Sequence, residues 1–292
     1  MLYGYIIVNI EIFVKSMIKY NIYFVNFFEK NILTTSKNQR KEEQIMARVG
    51  NIIEKYQITD IIWQGSTSTI YLAKAVSSDA EYGQYIAIKA LSSRKTSLSH
   101  KKQFKREAKI LMKLSHPYIL KIFKFVNNSE DFYHFMEYIE GKSLRRVMLE
   151  KSFSFEDVIK IFKNILYALE YMEKNKIIHK DIKPENILVS DDLKIIKLAD
   201  FGFATKKSFF VLDLFPYAGT KQYMAPERKK NKIDYSSDIY SLAKTIEEVL
   251  TKVQDDIPDF IYYILSKCTK FSLKERYKSA NAVLKDLQSF TE

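Results

Sequence analysis

A chain of 292 residues with 47% hydrophobic content can bury a sizeable core, which excludes a disordered or low-complexity polymer and suggests one large or two small domains. The formal charge of +12 permits contact with polyanions, but Lys and Arg are scattered and no basic patch with interleaved aromatics occurs, so no nucleic-acid partner is expected. The single cysteine, Cys268, excludes an internal disulfide framework, reads as an inert buried thiol within "FIYYILSKC", and suits a reducing, cytoplasmic location.

Residues 1–45 form an N-terminal extension. The first thirty are apolar but interrupted by Glu11, Lys15, Lys19, Glu29 and Lys30, so no run approaches the roughly 20 residues that span a bilayer. Glu11, Lys15 and Lys19 recur every four positions among Ile7, Ile10, Val14, Met17 and Ile18, the pattern of a helix with a narrow polar stripe. Such a helix could touch a membrane surface or pack on the domain that follows. No basic leader with a small-residue cleavage site is present, residue 2 is Leu rather than the Gly of a myristoylation signal, and Met46 is a plausible alternative start. Residues 34–44 read as a polar linker.

Organised patterning begins near residue 52. "IIWQGSTSTIYL" over 61–72 reads as strand, polar turn and strand, with Gly65 as its one glycine. Further strands are expected over 84–91, 120–126 and 132–138, with a helix over "KKQFKREAKILMKL" inserted before the strand at 120–126. After Gly141 the chain turns helical. "SFEDVIKIFKNILYALEYMEKN" repeats apolar residues at i, i+3, i+4 and i+7, and Ser154 is its expected N-cap. Strand-rich first and helix-rich second predicts an α+β fold of two packed lobes with a cleft between them.

Chemistry concentrates in "IIHKDIKPENILV". Asp181, Lys183 and Asn186 group a carboxylate, a cation and an amide oxygen within six residues on one loop. "LADFGFA" follows, and its Asp200 supplies a second hard oxygen ligand suited to magnesium.

From about Glu54 to the C-terminus the chain resembles the eukaryotic-type protein kinases of the Ser/Thr class, through "YIAIK", "FKREAKILMKLSHPYI", "HKDIKPEN", "DFG" and "GTKQYMAPE" in that order. The resemblance implies a bilobal kinase-like domain over 54–290: N-lobe 54–136, hinge 137–140, C-lobe 141–290. It implies that Lys89 holds the α- and β-phosphates of ATP with Glu107 as ion-pair partner. Asp181 would act as base or hydroxyl-orienting group with Lys183 beside it, and Asn186 and Asp200 as Mg2+ ligands. Ile62 and Gly65 would cover the nucleotide, Met136 would be the gatekeeper, and Glu137 to Ile139 would face adenine, which Ile70, Ala87 and Leu188 would sandwich. Leu111, Ile122, His179 and Phe201 match the stack that aligns the lobes. This division of labour suits phosphoryl transfer, whose loose, charged transition state asks mainly for positioning and charge stabilisation.

Lys183 and Thr220 match Ser/Thr rather than Tyr kinases, and Phe203 matches relatives that favour serine. Protein substrates are implied. Glu185 and Glu248 match acidic positions that read an arginine upstream of the target, while Ser143 replaces a further acid, so a partial basophilic preference is expected. Three features depart from the family pattern. Lys180 replaces an arginine and cannot form its bidentate fork, and Pro216 stands where relatives carry a phosphorylated threonine; activity without activation-loop phosphorylation follows as an expectation, with Thr205, Ser208 and Tyr217 as remaining candidate sites. Asp238 and Arg276, matching the anchor of the central helix and the partner of Glu227, are closely spaced, so the helix usually called αG should be shortened; Tyr240 and Ala243 replace Trp and Gly. Finally, the three glycines of the phosphate-covering loop become Trp63, Gly65 and Ser68, which predicts looser phosphate closure.

Overall fold

The computed structural model describes residues 47–91, 97–127, 132–207, 219–230 and 233–291. The readings made on residues 1–45, and on Ser208, Pro216 and Tyr217, lie outside the described residues. No described helix is long and apolar enough to cross a membrane.

The strand-rich part is a six-stranded antiparallel sheet of β1 (Ile52–Ile53), β2 (Tyr56–Gln64), β3 (Ser68–Ala75), β4 (Tyr85–Leu91), β5 (Ile122–Asn127) and β6 (Phe132–Glu137), in the order β1-β2-β3-β4-β6-β5. Register places Ile70 opposite Lys89 and Ala87 opposite Met136, and the two-residue period puts all four on one face. Helix α1 (Leu98–Leu111) buries Phe104, Glu107, Ala108 and Leu111, a one-face set at helical spacing. Phe104 stacks on His134 of β6 with centroids 3.6 Å apart. Burial keeps the His134 imidazole well below its usual pKa, so α1 packs on a neutral ring.

The second part begins with β7 (Lys142–Ser143) and α2 (Leu144–Glu150), whose N-cap Ser143 accepts from Arg146 N. Helix α3 (Phe155–Lys174) starts in a capping box, Ser154 with Asp157, and buries ten side chains against α4 (Tyr235–Leu250) and α6 (Ala280–Thr291). Between α3 and α4 come the short strands β8 (Ile177–Ile178), β9 (Ile187–Val189), β10 (Ile196–Leu198) and β11 (Thr205–Lys206). Helix α5 (Asp259–Cys268) follows α4 after residues 251–258, which hold no helix, in line with the expected shortening. Cys268 is buried and unpaired, and burial raises its thiol pKa far above the ordinary value, which suppresses the nucleophilic thiolate.

One continuous apolar cluster runs from Ala87, Leu111, Ile122 and Met136 through α3 to Leu287, and so joins the sheet to the helices. Within it His179 meets Phe201 edge-on, centroids 4.6 Å apart. At the far side the guanidinium of Arg276 forks onto Glu227 at 2.7 and 3.0 Å, both side chains buried, and Tyr240 lays its ring 5.0 Å from the same guanidinium. Tyrosine at 240 therefore keeps an aromatic contact on the buried ion pair.

Candidate active site

Lys89 projects from the middle of β4, where strand pairing on both sides fixes its backbone. Its Nζ donates to both carboxylate oxygens of Glu107 at 2.8 Å and lies 3.8 Å from Asp200 Oδ1. Burial works to lower the Lys89 pKa, but Glu107 and Asp200 outweigh it and the ammonium is held above its ordinary value. Burial pushes the Glu107 carboxyl up, with Lys89 opposing. Asp200 is also pushed up by burial, yet Lys89, His179 and the Gly202 N–H together hold it below the usual carboxylate range.

Asp200 sits at φ 58°, ψ 74°, a left-handed conformation that Asp tolerates, and its carboxylate accepts from Gly202 N to cap the turn Phe201–Phe203. Gly202 is pressed against α1. A methyl group there would fall 2.9 Å from Gln103 Nε2 and 3.1 Å from Asp200 Oδ1. Arg106 Nη2 donates to Gly202 O at 2.9 Å. Helix α1 thus grips Lys89 through Glu107 and the Asp200 turn through Arg106, two adjacent residues about 100° apart on the helix. Sequence reading missed Arg106; its adjacency to Glu107 was the only signal.

Asp181 is buried and accepts from four donors. Its Oδ1 takes the Thr220 N–H at 2.9 Å and the Thr220 hydroxyl at 3.3 Å; its Oδ2 takes Asn186 Nδ2 at 3.1 Å and Lys183 Nζ at 3.0 Å. Lys183 Nζ also reaches Thr220 Oγ1 at 2.9 Å, so the lysine, aspartate and threonine close a small polar ring. The loop backbone is fixed from below by Asp238, whose carboxylate accepts from His179 N at 2.6 Å and Lys180 N at 2.9 Å. Arg228 donates to the carbonyl of Lys180, itself at φ 76°. Gly219, at φ 116°, packs there so closely that a methyl group would lie 2.9 Å from that carbonyl oxygen, which requires glycine twice over.

The donor set suits magnesium. Asn186 Nδ2 is spent on Asp181 O and Oδ2, which leaves its amide oxygen for a cation, and Asp200 adds a carboxylate. Among the described residues no three His, Cys, Asp or Glu side chains are grouped to hold a metal, and a magnesium ion held by Asn186 and Asp200 would complete its shell with water or phosphate oxygens.

The residues expected around adenine are partly gathered. Ala87 and Met136 are buried in the core, and Ile70, Ile139 and Leu188 pack against its edge. The Glu137 carboxylate is committed to Lys121 N at 2.7 Å and Lys197 Nζ at 2.8 Å, so any base contact at this position falls to its backbone. Ile62 lies in the irregularity between Ile61 and Trp63 and is exposed. Trp63 pairs with Ile70 across the hairpin, on the face that carries Lys89, and Gly65 N closes the turn onto Ser68 O at 2.9 Å.

Glu185 and Glu248, the expected readers of a substrate arginine, are already occupied. Arg145 Nε donates to Glu185 at 2.9 Å, Nη1 and Nη2 donate to Glu248 at 2.5 and 3.1 Å, and Nη2 donates to the Tyr223 hydroxyl at 2.6 Å. The Arg145 hydrogen bond holds the Glu248 carboxyl below its ordinary pKa.

The family described as "Protein kinase domain" matches residues 56–283. A probable serine/threonine-protein kinase of Clostridium perfringens is 27% identical over 271 residues, 82% of this chain and 39% of that protein. The serine/threonine-protein kinase PrkC of Bacillus subtilis is 32% identical over 201 residues, 68% of this chain and 30% of its own length. Serine/threonine-protein kinase cds1 of Schizosaccharomyces pombe is 30% identical over 254 residues, 82% of this chain and 53% of its own. The chain spans about two fifths of the length of the clostridial relatives it matches.

Proposed function

The chain belongs to the protein kinase family, and on that premise we propose that it transfers the γ-phosphoryl group of ATP to serine and threonine hydroxyls of proteins, serine favoured, without obligatory phosphorylation of its own activation segment. One observation carries the reading: the Lys89, Glu107 and Asp200 charges meet within 4 Å while Asp181, Lys183, Asn186 and Thr220 form a closed array on the adjoining loop.

In this mechanism Lys89 binds the α- and β-phosphates, and Glu107 keeps its ammonium in place. Asp200 and Asn186 would hold Mg2+, which when bound neutralises the charge that develops on the phosphate oxygens. Asp181 orients the acceptor hydroxyl and receives its proton. Lys183, held between Asp181 and Thr220, sits where it can stabilise the transferring group. Phe203, directly after Gly202, supports the serine preference. Independence from activation-segment phosphorylation is supported by the way Asp181 and Asp200 are already held, through Thr220, Asp238, Arg228 and Arg106.

The test is transfer of label from radiolabelled ATP to a generic protein substrate by wild type and Asp200→Ala. Equal signal from the two rules out the enzyme. Phosphatase treatment of the wild type should leave its rate intact; loss of activity defeats the proposed independence.

A further inference from the structure

We propose that Arg145 is a specificity-determining residue: its guanidinium fills, from within the chain, the acidic pocket beside the acceptor site and denies that pocket to a basic side chain of the substrate. The proposal rests on the kinase reading above.

Arg145 uses four of its five N–H donors on Glu185, Glu248 and Tyr223, which come from the Asp181 loop, from α4 and from the turn Lys221–Tyr223. The pocket borders the acceptor site on two sides. Glu185 stands in the turn Pro184–Asn186, whose Asn186 holds Asp181, and Tyr223 ends the turn that follows Thr220, which also holds Asp181. A polypeptide presenting a hydroxyl to Asp181 must run past both turns. At about 3.3 Å per extended residue, its side chains two or three positions away come within reach of the cluster.

The acidic side chains are not deeply buried: Glu185 and Glu248 are 45% and 25% exposed, against 28% for Arg145. Without Arg145 they would be two carboxylates with a phenol, a good receptor for a guanidinium. With it, an incoming cation must displace a forked partner tethered to α2, whose local concentration no free peptide matches. The wild-type groove is therefore indifferent to substrate arginine.

The experiment uses serine peptides in which one arginine is walked through each position on either side of the acceptor in an otherwise uncharged sequence, with kcat/KM measured for the full chain. Wild type should separate the arginine peptides from the arginine-free one by no more than about twofold. Arg145→Ala should gain a preference on the order of tenfold at one or more positions. That gain should shrink with added salt and vanish in Arg145→Ala/Glu248→Gln. A brace with no role in specificity would slow all peptides alike; an unchanged ratio in Arg145→Ala overturns the proposal. Should that variant not fold, the Glu185→Gln/Glu248→Gln variant decides: its arginine ratio should equal that of wild type, and loss of an existing wild-type preference overturns the claim. A wild-type protein that labels no substrate at all sinks the kinase reading instead. The pocket is then tested by fluorescence anisotropy of a labelled arginine peptide, which should bind Arg145→Ala more tightly than wild type, equal affinity being the refuting result.

Discussion

The Trp63 indole lies across Gly65: a methyl group built on that glycine would fall 2.0 Å from Trp63 Cη2 and within 2.8 Å of two further ring atoms. Trp63 is half exposed and shares a sheet face with Ile70 and Lys89, the face that the proposed function gives to the nucleotide. On that reading a ring there would hinder the close approach of phosphate to the Gly65 backbone. Trp63→Gly should therefore tighten binding of ATP with Mg2+ by a few-fold, on the order of 0.5–1 kcal/mol, when measured by calorimetry. Weaker binding would make Trp63 a contact rather than an obstacle. Gly65→Ala must push the ring away or distort the turn, and should lower the melting temperature.

Arg106 joins α1 to the carbonyl of Gly202. Arg106→Met keeps the apolar stem and removes the tie, so Asp200 should lose its fixed position while Lys89 and Glu107 stay paired. Single-turnover rates should fall about tenfold, the cost of a lost charge-assisted hydrogen bond, with ATP affinity changed less than threefold. An equal loss in both would place Arg106 in nucleotide binding.

The Glu227–Arg276 pair is buried on both sides and carries further hydrogen bonds, from Ser237 to Glu227 and from Arg276 to the carbonyls of Lys270 and Ser236. Removing one partner strands the other charge, so Glu227→Ala should cost about 3–5 kcal/mol in urea unfolding. The double variant Glu227→Ala/Arg276→Ala should lose less than the sum of the two single changes. Strict additivity would show that the two do not interact.

Glu173 supplies a pH dependence. Burial raises its carboxyl from the ordinary 4.5 to about 7, against the Ala280 N–H that lowers it; Asp238, Glu170 and Asp234 push it further up. The folded state therefore keeps a proton that the unfolded state has lost across this interval. The stabilising contribution is complete below about pH 4.5 and is lost as pH rises through 7. Glu173→Gln retains an acceptor for Ala280 N, and its stability relative to wild type should grow between pH 5 and pH 8 in paired urea titrations. A constant difference would mean that the carboxyl is not shifted.

The sequence by itself determined which groups meet on the loop of the candidate site. Asp181, Lys183 and Asn186 are close in the chain and bond to one another through a single loop, so their spacing already implied their contact. The long strands and α3 were equally legible, because burying one face imposes a period that composition cannot hide. The two-residue strands β7, β8 and β11 were not, since nothing local makes two residues a strand; they exist through partners supplied by packing. Tertiary structure alone decided which charges are already taken. Arg106 finds Gly202 across 96 positions, and Arg145 finds Glu248 across 103. A guanidinium looks the same in sequence whether it faces water or a carboxylate. Which of these it meets is set by how the core brings distant segments together, and that is why Glu185 and Glu248 read as open receptors in the sequence and stand filled in the fold.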